Sequence, residues 1–222
     1  MNKSRKNQLK LILILLAGLF VSTTNAQNEK ERGLFTAGFE GGINFSQVDG
    51  DYYAGYGKQG ARFGAIGFWN FKEDWAISWE IAYSQRGSNA SGWRVINDSI
   101  SIANYGINAV YAEVPVMLNY FDDKRNHFGL GLSYSQLVQS SEHLQISKHN
   151  TLSDVDLSKY TFNKNNVEIV AGGTLHMWKG LFLNVRFQYS IIPMRTDIPE
   201  IYARSKQYSN VWTTQLYYLF RY

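Results

Sequence analysis

Two histidines share a polar stretch with hydroxyl and carboxylate side chains, and this stretch is the first candidate for chemistry. His143 and His149 could serve a hydrolase or hold a divalent cation there. Their spacing matches no catalytic or metal-binding motif, so we interpret the stretch as a solvated polar loop. We therefore predict no catalytic, cofactor-binding or metal-ligating residues and no cofactor. The neighbouring polar residues are Ser141, Glu142, Ser153, Asp154 and Asp156.

A second set of chemically interesting residues consists of charges on predicted strands. Counting alternate positions places Glu40, Glu80, Glu113 and Arg186 on one inward face, near mid-height. Three carboxylates and one guanidinium in a narrow interior cannot all be ionised, because burial and like charge disfavour the charged form. We predict that one glutamate is protonated or water-bridged, and that Glu80 and Glu113 share a proton. This lumen polar network is interpreted as a filling plug, with a proton or cation relay as the alternative. Further hydrogen bonds are expected from Asn44, Asn119, Asn184 and Gln188.

The element that positions these charges is best seen in the stretch from Trp75 to Arg86, WAISWEIAYSQR. Large apolar and small or polar residues alternate, which is the period of a β-strand with two differently solvated faces. Glu80 falls on the polar face. The predicted lipid-facing residues are Trp75, Ile77, Trp79, Ile81 and Tyr83.

Comparable alternation predicts eight strands, connected by alternately long and short segments. An antiparallel up-and-down arrangement collects the long connections at one end, which is typical of an outer-membrane barrel. The predicted fold is therefore an all-β, eight-stranded antiparallel up-and-down transmembrane β-barrel with long external loops and short periplasmic turns. Pro115 lies inside a strand and predicts a bulge or a gap in hydrogen bonding. The strands are 34–48, 61–71, 75–86, 105–121, 127–139, 167–178, 181–191 and 209–222. The long connections are 49–60, 87–104, 140–166 and 192–208, and the short ones are 72–74, 122–126 and 179–180.

The N-terminus has the pattern of a secretory signal peptide. Four basic residues precede an 11-residue apolar run, Leu11 to Val21, which is too short to span a membrane and ends in small residues. A buried N-terminal helix, the alternative, explains neither the one-sided charge nor these small residues. The predicted organisation is a signal peptide at 1–26, a short N-terminal periplasmic segment at 27–33 and an outer-membrane β-barrel domain at 34–222.

Charge and cysteine content exclude several functions. The 22 basic residues less four in the leader leave 18, which equals the 18 acidic residues, so the mature chain is formally neutral. It lacks the basic surface that nucleic acid requires, and we expect no nucleic-acid partner. The absence of Cys excludes disulfides, thiolate metal sites and an acylated N-terminal cysteine.

The distribution of aromatic residues also favours a membrane barrel. In most strands the large apolar residues fall on one parity, and a lipocalin-like soluble barrel could not hold so many of them inside. Residues beside the short turns are predicted to form a girdle at the periplasmic interface. They are Trp69, Phe71, Trp75, Tyr120, Phe121 and Trp178. The remaining histidines, His127 and His176, also lie near short turns, where we expect interfacial or lumen side chains without catalytic duty.

Three stretches, WEIAYSQRG, YAEVPVMLNY and FGLGLSYSQLV, and the aromatic C-terminus resemble the PorT-like outer-membrane β-barrel family of Bacteroidetes. The resemblance covers most of the mature chain and implies location in the cell outer membrane after removal of the signal peptide. It also implies insertion by the barrel assembly machinery through the last strand. That C-terminal insertion strand presents Trp212, Leu216, Tyr218, Phe220 and Tyr222.

Eight strands enclose an interior that side chains can fill, which disfavours a general diffusion pore. We expect a small, non-enzymatic barrel that contacts outer-membrane lipid and acts through its external loops or as an accessory of a membrane assembly or secretion system. A lipid-modifying enzyme or hydrolase with a loop-rim site, or a narrow ion or solute channel, are the alternatives. The first loop, with Tyr52, Tyr53 and Tyr56 among glycines, is interpreted as a mobile surface loop or as a contact surface for carbohydrate or protein.

Overall fold

A computed structural model describes residues 33–53, 55–97, 100–148, 151–204 and 206–220. The predicted signal peptide and most of the segment 27–33 lie outside the described residues. In the described part, no helix is long and apolar enough to cross a membrane. The described residues form nine strands. They are β1 (Phe35–Asp49), β2 (Lys58–Asn70), β3 (Trp75–Asn97), β4 (Ile100–Phe121), β5 (His127–Lys148), β6 (Thr151–Asp154), β7 (Asn165–Trp178), β8 (Leu181–Ser190) and β9 (Tyr208–Phe220).

Eight of these strands form a closed antiparallel barrel. The hydrogen-bonded order is β4-β3-β2-β1-β9-β8-β7-β5, and pairing of β4 with β5 closes the ring. First and last strands are neighbours, with Phe39 opposite Tyr218. The four-residue β6 pairs with the outer end of β5 and stands outside the ring. The predicted eight-stranded up-and-down barrel is confirmed.

Strand replaces the predicted long loop at 87–104 in its described residues and also the first part of the predicted loop at 140–166. The β3–β4 hairpin continues through Ser88–Ile107 to Asn97–Ile100, so the prediction of a loop at 87–104 is wrong. Likewise β5 runs to Lys148, so the loop predicted at 140–166 begins with strand. Antiparallel strands can continue beyond the membrane because their backbone groups still pair with each other, whatever side chains face water. The barrel therefore projects outward on the side of β3, β4 and β5.

Pro115 interrupts one ladder without shifting it. On β3 and β4 the pairs Trp79–Val116 and Ala82–Glu113 share one register, but no pair is formed in between. Proline has no N–H to donate, so a gap in the ladder is the expected result. The prediction of a hydrogen-bonding gap is confirmed here, and the pairing with β5 is continuous at Pro115–Ser133.

The outer wall of the barrel is apolar. Phe39, Phe63, Ile81, Leu130 and Leu216 are each about half to two-thirds exposed, on different strands. A protein surrounded by water does not carry a continuous apolar band of this kind, whereas a barrel in lipid requires one. The five residues predicted to face lipid on β3 all lie on this wall, Trp75, Trp79 and Ile81 exposed and Ile77 and Tyr83 half-buried.

Aromatic residues surround the end of the barrel that carries the short turns, but one residue predicted for this girdle does not belong to it. Trp69, Phe71, Trp75, Tyr120 and Trp178 are exposed there. Phe121 is only 4% exposed and points into the barrel, so its predicted place in the girdle is wrong. Adjacent residues of a strand face opposite sides, so Tyr120 and Phe121 cannot both reach the interface. Of the residues predicted for a C-terminal insertion strand, Trp212, Leu216, Tyr218 and Phe220 face outward on β9, while Tyr222 lies outside the described residues.

Candidate functional site

The interior of the barrel is divided into three layers, and the middle one is charged. Near the short turns is an apolar layer, which we call the periplasmic plug; it contains Ile66, Phe68, Ala76, Phe121, Phe182, Tyr217 and Leu219. The middle layer, which we call the charged layer, contains Glu40, Arg62, Glu80, Arg86, Glu113, Glu168 and Arg186, all at least 95% buried. Beyond it, the extended strands and the loops enclose a second apolar cluster, which we call the external cap. Its buried members are Val48, Ile102, Tyr105, Ile107, Leu144, Leu157, Met194, Ile198 and Ala203.

Arg62 is the centre of the charged layer. It reaches inward from β2, and its guanidinium pairs with Glu113, with Glu80 at 2.7 Å and with Glu40 at 3.3 Å. Its Nε donates to Gln215 Oε1 at 3.0 Å. A guanidinium presents five donors in a fixed plane, which suits one cation to several carboxylates. Arg62 thus joins strands β1, β2, β3, β4 and β9 across the lumen.

Two further arginines extend the network across the barrel. Arg186 on β8 makes a bidentate pair with Glu80, both N–O distances being 2.8 Å. Arg86 on β3 pairs with Glu168 on β7 and with Glu113 at 3.2 Å. The Arg86 guanidinium also lies 4.0 Å above the Tyr111 ring, so it contributes a cation–π contact as well.

These contacts correct the predicted charge balance. Glu40, Glu80, Glu113 and Arg186 all lie in the charged layer, but Arg62, Arg86 and Glu168 accompany them. Four carboxylates therefore meet three guanidinium groups, and the premise of three against one is wrong. Arg62 is bonded to both Glu80 and Glu113, so a cation lies between the two carboxylates that were expected to share a proton.

Neutral hydrogen bonds fill the rest of the lumen. Asn119 donates to Ser78 Oγ, and Asn184 to Thr174 Oγ1, both at 2.8 Å. Asn44 bonds Ser84 and accepts from Thr213 instead of reaching a glutamate. Gln188 is buried. A cavity of about 10 Å³ remains between the charged layer and the periplasmic plug, which is space for about one water molecule.

One histidine packs against the periplasmic plug. His127 is buried, its Nε2 lies 2.9 Å from the Tyr217 hydroxyl, and its ring packs 4.2 Å from that of Phe121. His176 is partly exposed and bonds the Lys179 carbonyl at 2.6 Å in a short turn. Both contacts are structural in kind.

The external cap has its own buried ion pair. Arg195, from the β8–β9 connection, makes a bidentate pair with Glu142 on β5, both distances being 2.6 Å. It also contacts the Tyr105 hydroxyl at 3.0 Å and donates to Gln207 at 2.9 Å. Burial tends to lower the pKa of Arg195, but the bond to Glu142 leaves that pKa above its usual value. Arg195 thereby ties the last long loop to the extended β4–β5 wall.

The residues considered for catalysis do not form a site in the described part of the chain. His143 is exposed on the outer side of β5, and Glu142 is engaged by Arg195. Ser141, Ser153, Asp154 and Asp156 are exposed, while His149 lies outside the described residues. Among the described residues there is no group of three or more His, Cys, Asp and Glu that could hold a metal.

The Tyr-rich first loop is folded against the cap. Tyr53 packs on the apolar cluster, and the Tyr56 hydroxyl donates to Asn210 Oδ1 at 2.9 Å. Asp51, at the start of this loop, is buried and accepts from the Ser88 hydroxyl and, at 2.8 Å, from the Tyr53 N–H. Burial raises the pKa of Asp51 to about 6, although these two hydrogen bonds lower it in part.

Comparison with known proteins places these features in a family. A family model described as an outer membrane protein beta-barrel domain matches residues 25–195. No curated protein matches the chain. Among solved structures, Ail, the attachment invasion locus protein of Yersinia pestis, is similar at 11% identity and a TM-score of 0.42, over 83% of this chain and 98% of its own. Neisserial surface protein A is similar at 7% identity and a TM-score of 0.47, over 85% and 98%. The outer membrane protease OmpT from Escherichia coli is similar at 11% identity and a TM-score of 0.28, over 90% and 100%.

The family match and the structure lead to the same conclusion. The matched residues span more than half of the chain, and they include seven of the eight strands of a closed ring with an apolar outer wall. This chain belongs to the outer membrane β-barrel domain family and is a protein of the outer membrane.

Proposed function

We propose that the protein is a closed, non-enzymatic outer-membrane barrel that acts through its folded external cap. The observation that carries this proposal is the contrast between a lumen filled along its length and an ordered structure outside the membrane. Among the described residues, the cavity between the charged layer and the periplasmic plug measures about 10 Å³, which supports a lumen closed to solutes. The cap, by contrast, holds a buried apolar cluster and an internal ion pair, which give it a defined surface.

A lipid-modifying or hydrolytic activity is the second candidate, because His143 lies exposed near the outer rim. The decisive assay incubates purified protein in proteoliposomes with lipid A and with ester substrates, and measures acyl-chain release. We expect no turnover above empty vesicles. Turnover that His143→Ala or His149→Ala abolishes would overturn the non-enzymatic proposal.

Membership in the PorT-like family and a role as an accessory of a membrane assembly or secretion system are the finer parts of this proposal. The stretches WEIAYSQRG, YAEVPVMLNY and FGLGLSYSQLV and the aromatic last strand support the family membership, and the folded external cap supports the accessory role. Cross-linking in intact cells through cysteines introduced at exposed cap positions, such as Val95, tests the accessory role. A defined partner captured at the cap, and not at the periplasmic turn position Lys124, is the expected result.

We also propose insertion by the barrel assembly machinery through β9. Its outward face of Trp212, Leu216, Tyr218 and Phe220 supports this. Replacing Tyr218 and Phe220 by Ala should slow insertion, measured as the appearance of the folded band on an unheated gel. The same change at two outward β1 positions, Phe35 and Phe39, is the matched control and should slow it less.

A further inference from the structure

A hollow of about 700 Å³ lies on the outer wall at the external rim, where β1, β8 and β9 meet the cap. Its walls combine three chemical types. Tyr189 and Tyr208 supply aromatic faces, Asp49 and Gln47 supply hydrogen-bonding groups, and Arg204 and Lys206 supply positive charge. Pockets that bind small polar ligands have this mixture of aromatic surface and a few convergent polar groups.

The hollow is held in shape by strained and close-packed backbone. Tyr52 has a positive φ of 66°, which is rare for a bulky residue. It is fixed by the Arg94 guanidinium, 3.7 Å from its ring, and by its hydroxyl, which donates to the Glu200 carbonyl at 3.1 Å. Gly50, at φ 105°, passes so close to Lys206 that a Cβ would lie 2.5 Å from the Lys206 carbonyl oxygen. Backbone strain of this kind persists only where surrounding contacts hold the residue in place, and strained residues concentrate at binding sites.

The polar groups of the hollow suit a ligand that carries both an anionic group and hydroxyl groups. Gln47 Nε2 donates to Asp49 at 2.8 Å, which fixes the carboxylate at the floor. Among the described residues neither Arg204 nor Lys206 has a salt-bridge partner. Two cations beside one carboxylate leave a net positive hollow. An anionic group on a ligand would supply the missing partner.

The height of the hollow identifies the ligand's source. Phe45, Trp212 and Phe187 lie side by side on β1, β9 and β8, with the Trp212 and Phe187 rings 5.1 Å apart. Tyr208 is four residues further out on β9, which is about 13 Å along a strand. The apolar band of a barrel is about 25 Å tall and ends in aromatic residues, so we take this aromatic row as its outer end. The hollow lies further out along the strands and is therefore at the level of the outer-leaflet headgroups.

We propose that this hollow binds the phosphorylated sugar headgroup of an outer-leaflet glycolipid. Arg204 and Lys206 hold the phosphate, and Asp49 accepts hydrogen bonds from sugar hydroxyls. The Tyr189 and Tyr208 rings, stacked at 6.3 Å and 11°, form a flat wall on which the sugar ring packs. Glycolipid bound there contacts the barrel wall and the cap together.

Native mass spectrometry of the full mature protein, released from detergent and titrated with lipid A, tests this. The expected result is discrete one-to-one binding that weakens about tenfold or more in the double variant Arg204→Ala with Lys206→Ala, because two charge-assisted contacts are lost. The matched control is Lys159→Ala with Lys164→Ala, which removes the same charge on the same side of the membrane. It should change the apparent Kd less than twofold.

Two ligand arms identify the recognised chemistry and its source. Dephosphorylated lipid A should bind the wild type as weakly as lipid A binds the double variant. Soluble glucosamine phosphate should not displace bound lipid A, even at ten times the lipid A concentration. Equal losses in both double variants, equal binding of the dephosphorylated lipid, or competition by the soluble sugar would each overturn the proposal. Heat-modifiable gel mobility confirms that every variant compared is folded.

Discussion

The membrane-spanning part of the barrel and its external cap are built from the same strands but have opposite interiors. From Tyr105 to Phe121 the odd-numbered positions of β4 point inward: Tyr105 and Ile107 lie in the apolar cap, whereas Glu113 and Asn119 lie in polar parts of the lumen. The outward face changes the opposite way, from polar at Asn108 beside the cap to apolar at Val116 within the membrane. The surrounding solvent explains both, because lipid demands an apolar wall and water a polar one. One strand therefore reverses its hydrophobic face where it leaves the membrane.

The two regions therefore resist unfolding through different interactions. The cap is held by ordinary burial of apolar surface, and its described residues include the ion pair Arg195–Glu142. The charged layer is held by mutual satisfaction of charges that are expensive to bury singly. Removal of one charge should therefore harm the lumen more than removal of one apolar group harms the cap.

The largest effect is expected from Arg62→Ala. Three carboxylates, Glu40, Glu80 and Glu113, would lose their shared partner, at a cost of about 3–5 kcal/mol in the free energy of unfolding. Guanidinium-induced unfolding in detergent, followed by gel mobility and tryptophan fluorescence, measures it. Lys159→Ala, an exposed cation of the cap, is the control and should change stability by less than about 0.5 kcal/mol. Equal effects of the two changes would remove the distinction between the regions.

A second variant should damage the cap alone. Ile107→Ala deletes a fully buried side chain, at a local cost of about 2–5 kcal/mol. We expect faster cleavage of the cap by an added protease in proteoliposomes, while heat-modifiable mobility of the barrel is kept. Loss of both properties together would show that cap and barrel unfold as one unit.

The outward face distinguishes lipid from water. Ile81→Lys should cost about 2–4 kcal/mol near the bilayer midplane, because Ile81 is 63% exposed on the apolar wall. His143→Lys, outward on the extended part of β5, should cost less than about 0.5 kcal/mol. Urea unfolding in lipid vesicles compares the two. Equal tolerance would place the membrane boundary elsewhere on these strands.

The coupling of Glu80 and Glu113 is smaller but more specific. Both bond Arg62, so their replacement by Gln, singly and together, should give non-additive changes in unfolding free energy, with an interaction of about 0.5–3 kcal/mol. Strict additivity would show that Arg62 does not join them.

How far the sequence predicts this structure depends on the solvent that each residue meets. The outward residues of β3 were predictable, since lipid imposes a regular alternation from Trp75 to Tyr83. Arg62 was missed because β2 alternates poorly: Ile66 and Phe68 face inward in the periplasmic plug, so both faces of that strand read as apolar. Counting in twos from Phe63 and Trp69, which face lipid, would have placed Arg62 inward.

The cap was predicted least well, for a physical reason. Beyond the membrane no lipid sets the outward face, and pairing depends on backbone hydrogen bonds that carry no sequence signature. Residues 87–97 therefore had the composition of a loop. The contact of Arg195 with Glu142 joins residues 53 positions apart and follows from the fold alone.

The smallest expected effect is a pH dependence confined to the cap. Asp51 has a folded-state pKa of about 6, above the usual value of 3.8, so the folded state holds this proton more tightly than the unfolded state does. Cap stability should consequently fall as pH rises from about 4 to about 7, by about 1 kcal/mol per pH unit at most, and stay level above. Protease resistance of the cap at pH 5 and pH 7.5 measures this. Asp51→Asn keeps an acceptor oxygen for the Tyr53 N–H and offers an N–H to the Ser88 hydroxyl, which can accept it, so this variant should remove the dependence. Persistence of the dependence would point to another group.

The claim that the lumen is closed is tested most directly by conductance in planar lipid bilayers. A lumen sealed by the charged layer and the periplasmic plug predicts no discrete current steps from the wild-type protein, at any voltage the bilayer withstands. Reproducible single-channel steps from the folded, heat-modifiable protein would contradict a closed lumen and the function proposed for it.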